Sequence, residues 1–319
     1  MSEARIAILV LSDVNPRVSE RLSERFEVIK VDRAERLAIT PEQAARIRGV
    51  ASSGAFKASW MDALPHLEVI ASFGVGYDGI DIAHAVARRI IVTNTPDVLN
   101  DEVADTAIGL LLNTVRQFSK AEQWLREGHW PQGSYPLAPF SLKGRHVGIY
   151  GLGRIGHEIA KRLEAFKVKI SYHTRTRYAD VSYGYFPSLQ EMAEAVDTMI
   201  AIVPKTAATH KAINKDVLEA LGPDGVLINI GRGWSVDEDA LIAALRDGKL
   251  GAAGLDVFYD EPNVPDALLA LPNATLMPHL GSSTLPTRKA MADLVVGNII
   301  HWFDTGAAIT PVPETPLKR

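Results

Sequence analysis

Cysteine is absent from the 319 residues. Its absence removes disulfides, thiolate zinc sites, iron–sulfur clusters and a cysteine nucleophile together, and no metal site is expected. It also fits a reducing compartment. Long apolar runs are missing as well. The one nearest the N-terminus, residues 6–11, is cut short by Asp13. That is far below the roughly 20 residues of a membrane helix, and no leader-type cleavage pattern follows. A buried strand is the plainer reading. Neither sign of charge dominates: 34 Lys and Arg stand against 38 Asp and Glu, a net of −4. The basic excess that a nucleic-acid backbone would favour is lacking. Small basic clusters could still hold a small anion. The expected setting is the cytoplasm, with no membrane and no nucleic acid as partner. No repeat at solenoid spacing occurs.

The composition is 47% hydrophobic and 23% charged, the balance of a soluble globular protein. The length is too great for one ordinary domain and about right for two, each with its own core. Residues 6–11, 27–31, 49–51, 69–72 and 90–94 read as strands. Residues 16–23, 41–46 and 82–88 read as the helices between them. Such alternation with β-branched, nearly continuous apolar strands predicts a parallel sheet covered on both faces. From 101 to 127 the apolar residues Val103, Ala107, Leu110, Leu111, Val115 and Phe118 recur at helical spacing, predicting one long helix. Residues 128–141, rich in Pro, Gly and aromatics, read as a loop, with an intersubunit segment as the alternative.

A second series follows. Its strands are expected at 146–150, 169–173, 198–202, 226–230, 254–256 and 274–277, its helices at 155–166, 188–195, 215–220 and 236–247. A long helix is expected at 286–305. It lacks a sheet of its own and could return to the first domain. The tail beyond Gly306, with Pro311, Pro313 and Pro316, should be extended.

Gly151-Leu152-Gly153-Arg154-Ile155-Gly156 is a G-x-G-x-x-G segment. Alone the pattern is weak, but here it joins an apolar strand to a helix, the context a dinucleotide site requires. Gly151 suits the tight turn, Gly153 lets backbone approach a pyrophosphate, and Gly156 allows close helix–strand packing. The helix N-terminus adds unpaired N–H groups and a positive dipole end. A structural glycine turn is the bland alternative. About twenty residues on, NAD-binding chains place an acid for the ribose 2′-hydroxyl. This chain has His173-Thr174-Arg175-Thr176-Arg177 instead. Arginines grip a 2′-phosphate that an acid would repel, so NADP(H) is expected in preference to NAD(H); solvated surface charges are the bland reading.

Three later segments carry chemistry: Ile230-Gly231-Arg232-Gly233 at a strand end, Asp256-Val257-Phe258-Tyr259-Asp260-Glu261-Pro262, and Pro278-His279-Leu280-Gly281. Taken singly, Glu261 could be a surface acid and His279 a satisfied loop histidine. Their order after a dinucleotide turn is what points to a site.

Together with Ala71-Ser72-Phe73-Gly74-Val75-Gly76-Tyr77-Asp78, these segments resemble the D-isomer-specific 2-hydroxyacid dehydrogenases over nearly the whole length. The resemblance implies two Rossmann-like doubly wound α/β domains with a cleft between them, the cofactor domain inserted into the substrate domain. Residues 1–99 plus 286–319 would bind substrate, residues 100–285 the dinucleotide, and members typically pair as homodimers. It implies Arg232, Glu261 and His279 as the catalytic set. Val203, Pro204, Ile230 and Gly281 would line the cofactor, Thr106 would lie near it, and Asp256 would hold the nicotinamide carboxamide. Arg232 and His279 would touch both ligands. Ser53, Gly54 and the backbone N–H groups near Val75 and Gly76 would complete the substrate contacts. The basic stretch at 173–177 is similar to the NADPH-dependent glyoxylate/hydroxypyruvate and hydroxyphenylpyruvate reductase branch. The expected reaction is reduction of a small 2-oxo acid to the D-2-hydroxy acid, with His279 as proton donor. Larger 2-oxo acids, phenylpyruvates or 2-ketogluconate, are one alternative, and a dinucleotide-sensing, corepressor-like binding protein is another. An NAD-linked lactate or formate enzyme is disfavoured by the missing acid. With no regulatory extension past residue 319, a long phosphoglycerate dehydrogenase is not the expectation. Asp105-Thr106 departs from the Glu-His of many members, and Trp234 is bulky for its position. Phe73, Trp130, Tyr135 and Trp234 are candidates to shape the substrate pocket, or else core or dimer contacts.

Overall fold

The computed structural model describes residues 5–32 and 38–315; Pro316 lies outside them. The chain divides into two compact units, residues 1–99 with 283–319, and residues 100–282.

The first unit opens with β1 (Ala7–Leu11), α1 (Pro16–Ser23), β2 (Glu27–Val31), α2 (Pro41–Ala44), β3 (Ile47–Ser52), α3 (Ala58–Asp62), β4 (Val69–Ser72), α4 (Ile82–Ala87) and β5 (Ile91–Thr93). The strands pair in parallel in the order β2-β1-β3-β4-β5. Every residue of β1 and β4 is buried, as expected of strands covered on both faces. Helix starts are written locally. Asn15 accepts from Arg17 N ahead of Pro16, and Thr40 with Gln43 makes a reciprocal cap around Pro41.

The second unit runs α5 (Asn100–Arg116), α6 (Phe118–Arg126), β6 (His146–Tyr150), α7 (Arg154–Ala165), β7 (Lys169–His173), β8 (Gly184–Phe186), α8 (Leu189–Ala195), β9 (Thr198–Ala201), α9 (Lys215–Leu221), β10 (Val226–Asn229), α10 (Glu238–Arg246), β11 (Ala252–Leu255), α11 (Asp266–Leu269) and β12 (Ala274–Leu276). Its seven strands, also all parallel, order as β12-β11-β10-β9-β6-β7-β8. Helices α8, α9 and α10 bury Met192, Leu218 and Leu241 against Leu227 and Ala253 of the sheet. The order reverses between β6 and β9. In such sheets ligands bind beyond the strand ends at that reversal.

The chain then returns to the first unit through α12 (Leu285–Thr305). This helix packs on α1 and β4 and buries Met291, Val295, Val296, Ile299 and Trp302. Asp293 on it pairs with Arg17 at 2.8 Å and Arg21 at 2.7 Å. The extended tail adds Pro311 antiparallel to Thr93, with Val312 N donating to Val92 O.

One long helix over 101–127 is not what forms. The element breaks at Gln117, whose backbone is left-handed at φ 55°, ψ 41°. Apolar spacing carries through the break because Phe118 falls in phase with Val115, yet Phe118 is 50% exposed. The short elements α3, β8 and α11 were also not anticipated; three to five residues are too few to display a period.

Candidate active site

The glycine turn sits at the strand-order reversal. Gly151 directly follows β6 and has φ 101°, which a side chain would strain. A Cβ there would meet Ile202 O at 2.8 Å, and one at Gly156 would fall 2.2 Å from Gly151 O. The turn is therefore closed to any larger residue at both ends. Gly153 is the opposite case: its Cβ position faces open space, and it caps α7 without a side-chain hydrogen bond. An exposed stretch of backbone thus lies at a helix N-terminus, the cradle a pyrophosphate requires. Val203, beyond β9, is buried against this turn, and Pro204 is exposed beside it. Ile230 is buried.

At the end of β7, His173 Nδ1 bonds Phe186 O at 2.9 Å and its ring packs on Tyr150. Thr174 folds its hydroxyl onto Thr176 O at 2.7 Å. The turn this makes leaves Arg175 and Arg177 exposed, with no hydrogen bond or ion pair among the described residues. Two free guanidinium groups follow the strand where an acid would mark NAD use.

The sheet's next strand ends place the polar groups. Asn229 closes β10, and its amide ties the turn: Oδ1 accepts from Gly231 N at 3.1 Å and Nδ2 donates to Arg232 O at 3.0 Å. Ser235 Oγ donates to the same carbonyl at 2.9 Å. Gly233 is required, because a Cβ would lie 1.9 Å from Phe258 C. Arg232 is thus held between glycines against the 258–261 segment.

Glu261 Oε1 accepts from Phe258 N at 3.0 Å and Oε2 meets His279 Nδ1 at 2.6 Å. Burial pushes the Glu261 carboxyl up. The bond from His279, the Phe258 N–H and the charges of His279 and Arg232 outweigh it and hold the group below the ordinary range. An ionised carboxylate only accepts, so Nδ1 carries the proton and Nε2 is left for chemistry. His279 itself has φ 50°, held by its N–H to Asp256 O at 2.8 Å.

Asp256 follows β11 and is fully buried. Its two oxygens accept from Leu280 N at 2.7 Å and Gly281 N at 2.9 Å. Burial pushes this carboxyl up, and those two N–H groups oppose the rise. Its visible work is to fix the His279 loop. Thr106 on α5 does the same from the other side: Oγ1 bonds Glu102 O at 2.9 Å and Gly281 O at 3.2 Å.

In the first unit Ser53 and Gly54 follow β3, and Val75 and Gly76 follow β4, all at carboxyl ends of parallel strands. Asn94 Nδ2 donates to Val75 O at 2.9 Å. The Val75 and Gly76 N–H groups donate to nothing among the described residues. Ser52 Oγ and Thr95 Oγ1 are buried and find no hydrogen-bond partner among the described residues. Phe73 is buried and Arg288 stands over its ring at 5.6 Å. Sequence reasoning missed Arg288. Burial lowers its pKa, and its guanidinium meets Ser283 Oγ at 2.9 Å rather than an acid. An arginine in the first turn of a helix, where cations are disfavoured, was the signal available.

Comparison with known proteins places these features in a family. The profile described as "D-isomer specific 2-hydroxyacid dehydrogenase, NAD binding domain" matches residues 108–281. The chain belongs to the D-isomer specific 2-hydroxyacid dehydrogenase family. Within that family it is 58% identical to an NADPH-dependent glyoxylate/hydroxypyruvate reductase from Sinorhizobium meliloti, solved with NADP and malonate; the match covers 99% of both chains at a TM-score of 0.97. It is 44% identical over 311 residues to hydroxyphenylpyruvate reductase from Plectranthus scutellarioides, covering 96% of this chain and 99% of that one. Glyoxylate/hydroxypyruvate reductase A from Arabidopsis thaliana matches to the same extent.

Proposed function

We propose that this dehydrogenase reduces small 2-oxo acids, of the glyoxylate and hydroxypyruvate type, to D-2-hydroxy acids with NADPH. The observation that carries the reading is the His279–Glu261 pair, its Nε2 left free, on the strand ends next to Arg232. The open turn at Gly153 and the unpaired Arg175 and Arg177 support NADPH. The relative from Sinorhizobium meliloti supports both substrate class and cofactor.

NADPH supplies the hydride when bound. Gly151, Gly153, Gly156 and the α7 N-terminus hold its pyrophosphate, and Arg175 and Arg177 its 2′-phosphate. Arg232 pairs with the substrate carboxylate and stabilises charge developing on the 2-oxo oxygen. The free N–H groups at Val75 and Gly76, with Ser53 and Gly54, contact the substrate as well. His279, as imidazolium, gives its Nε2 proton to that oxygen, and Glu261 stabilises the charged ring. Asp256 and Thr106 keep the His279 loop in place.

The 44% identical hydroxyphenylpyruvate reductase supports a second reading, a larger aromatic 2-oxo acid as substrate. Kinetics with glyoxylate, hydroxypyruvate and hydroxyphenylpyruvate decide between them. His279→Ala should lower kcat by about a hundredfold or more with every one of them. A near wild-type rate would refute the proton-donor role, and no turnover by the native enzyme would favour a dinucleotide-sensing protein.

Cytoplasmic location and a homodimer complete the proposal. Among the described residues no helix is long and apolar enough to cross a membrane. The 118–137 region exposes Phe118, Leu125, Trp130 and Leu137, and α6 buries none of its residues. An apolar surface of that kind suits a second copy.

A further inference from the structure

We infer that Trp234 is a positioning residue: stacked with His210 and Tyr259, it clamps the Arg232 and Glu261 segments in a single register. The inference rests on the roles just proposed for Arg232 and Glu261.

Trp234 lies two residues beyond Arg232, and Tyr259 two before Glu261. Between them the two segments meet at Gly233, so closely that a Cβ there would lie 1.9 Å from Phe258 C. Ring contacts add a second link between the same two segments. The Trp234 indole is nearly parallel to Tyr259, 10° apart with centroids at 5.8 Å. On the same residue His210 stacks at 3.9 Å and 29°. His210 Nε2 meets Tyr259 Oη at 3.1 Å, closing a three-ring set. The indole N–H donates to Thr206 O at 2.9 Å, and Lys211 N donates to Trp234 O at 2.9 Å. Lys205 caps the Trp234 ring at 4.5 Å and Lys211 the Tyr259 ring at 5.6 Å. Tyr259 N donates to Glu238 Oε2 at 3.3 Å. Three separate stretches, 205–211, 232–235 and 258–261, therefore converge on one indole. Stacked rings resist tilting, and cations over their faces hold the outer edges.

The test is a double-mutant cycle of Trp234→Ala with Glu261→Gln, read as kcat/KM for glyoxylate with saturating NADPH. A residue acting through Glu261 and Arg232 loses its effect once Glu261 is disabled. Trp234→Ala should cost about tenfold or more alone but no more than about threefold on top of Glu261→Gln. The KM for NADPH should stay within about twofold, and Trp234→Phe, which keeps the stack, should recover most of the loss. Multiplicative losses with an effective Glu261→Gln would overturn the clamp alone, as would wild-type kinetics in Trp234→Ala. An ineffective Glu261→Gln would overturn the reading of the site and the clamp with it. If Trp234→Ala does not fold, Tyr259→Leu enters the same cycle with the same expected and overturning results.

Discussion

His279 adopts a backbone conformation that costs a residue with a β-carbon about 1–2 kcal/mol. Asp256 holds it there by accepting from two consecutive N–H groups beyond it. Asp256→Ala leaves both donors without their carboxylate, so the variant should lose about 1–3 kcal/mol in urea unfolding and most of its kcat. Arg175→Ala with Arg177→Ala should raise KM for NADPH about tenfold or more and leave KM for NADH nearly unchanged, because only NADPH carries the 2′-phosphate proposed as their partner. Equal losses with both cofactors would remove the 2′-phosphate from the account. Glu261, His279 and Arg232 could be singled out in the sequence only through the order of their segments after the glycine turn and through the family resemblance; the Glu261–His279 bond is what the fold adds. The role of Trp234 could not be read: every group that gives it meaning, from Lys205 to Tyr259, is remote from it in sequence. Arg288 was missed for the same reason, since its environment is Phe73.

Among the elements, every strand except β8 could be read to within two residues at each end, because β-branched runs between helices leave little choice. The break between α5 and α6 could not. It depends on one left-handed residue, and that residue is a glutamine rather than the glycine such a position favours. Gln117→Gly should therefore be neutral or stabilising by up to about 1 kcal/mol in chemical denaturation. A clear loss would mean that the Gln117 side chain is itself needed. The edge strand β8 was invisible because three residues cannot show alternation, yet Phe186 O from that strand fixes the His173 ring at the end of β7. A strand too short to predict thus orients a residue that was predicted.

At the scale of the molecule, charge ties the ends of the chain together. The hydrogen bond from Arg17, with Arg21 alongside, holds the Asp293 carboxyl below the usual range against the opposing effect of burial. A depressed acid stabilises the fold above the unfolded value, about pH 3.9, and its contribution disappears as pH falls through the lower folded value. Asp293→Asn should accordingly lower the melting temperature at pH 7, and the difference from wild type should shrink in acid. A constant difference would show that packing, not charge, is at stake. The first unit is assembled from residues separated by the whole of the second, as the Arg17–Asp293 pair makes plain. On a ribosome the opening hundred residues must therefore wait: their five strands emerge early, but the helix that covers β4 is made only after the whole of the second unit. The inserted unit can mature first, while the earlier strands stay open to proteolysis and to chaperones until the returning helix emerges.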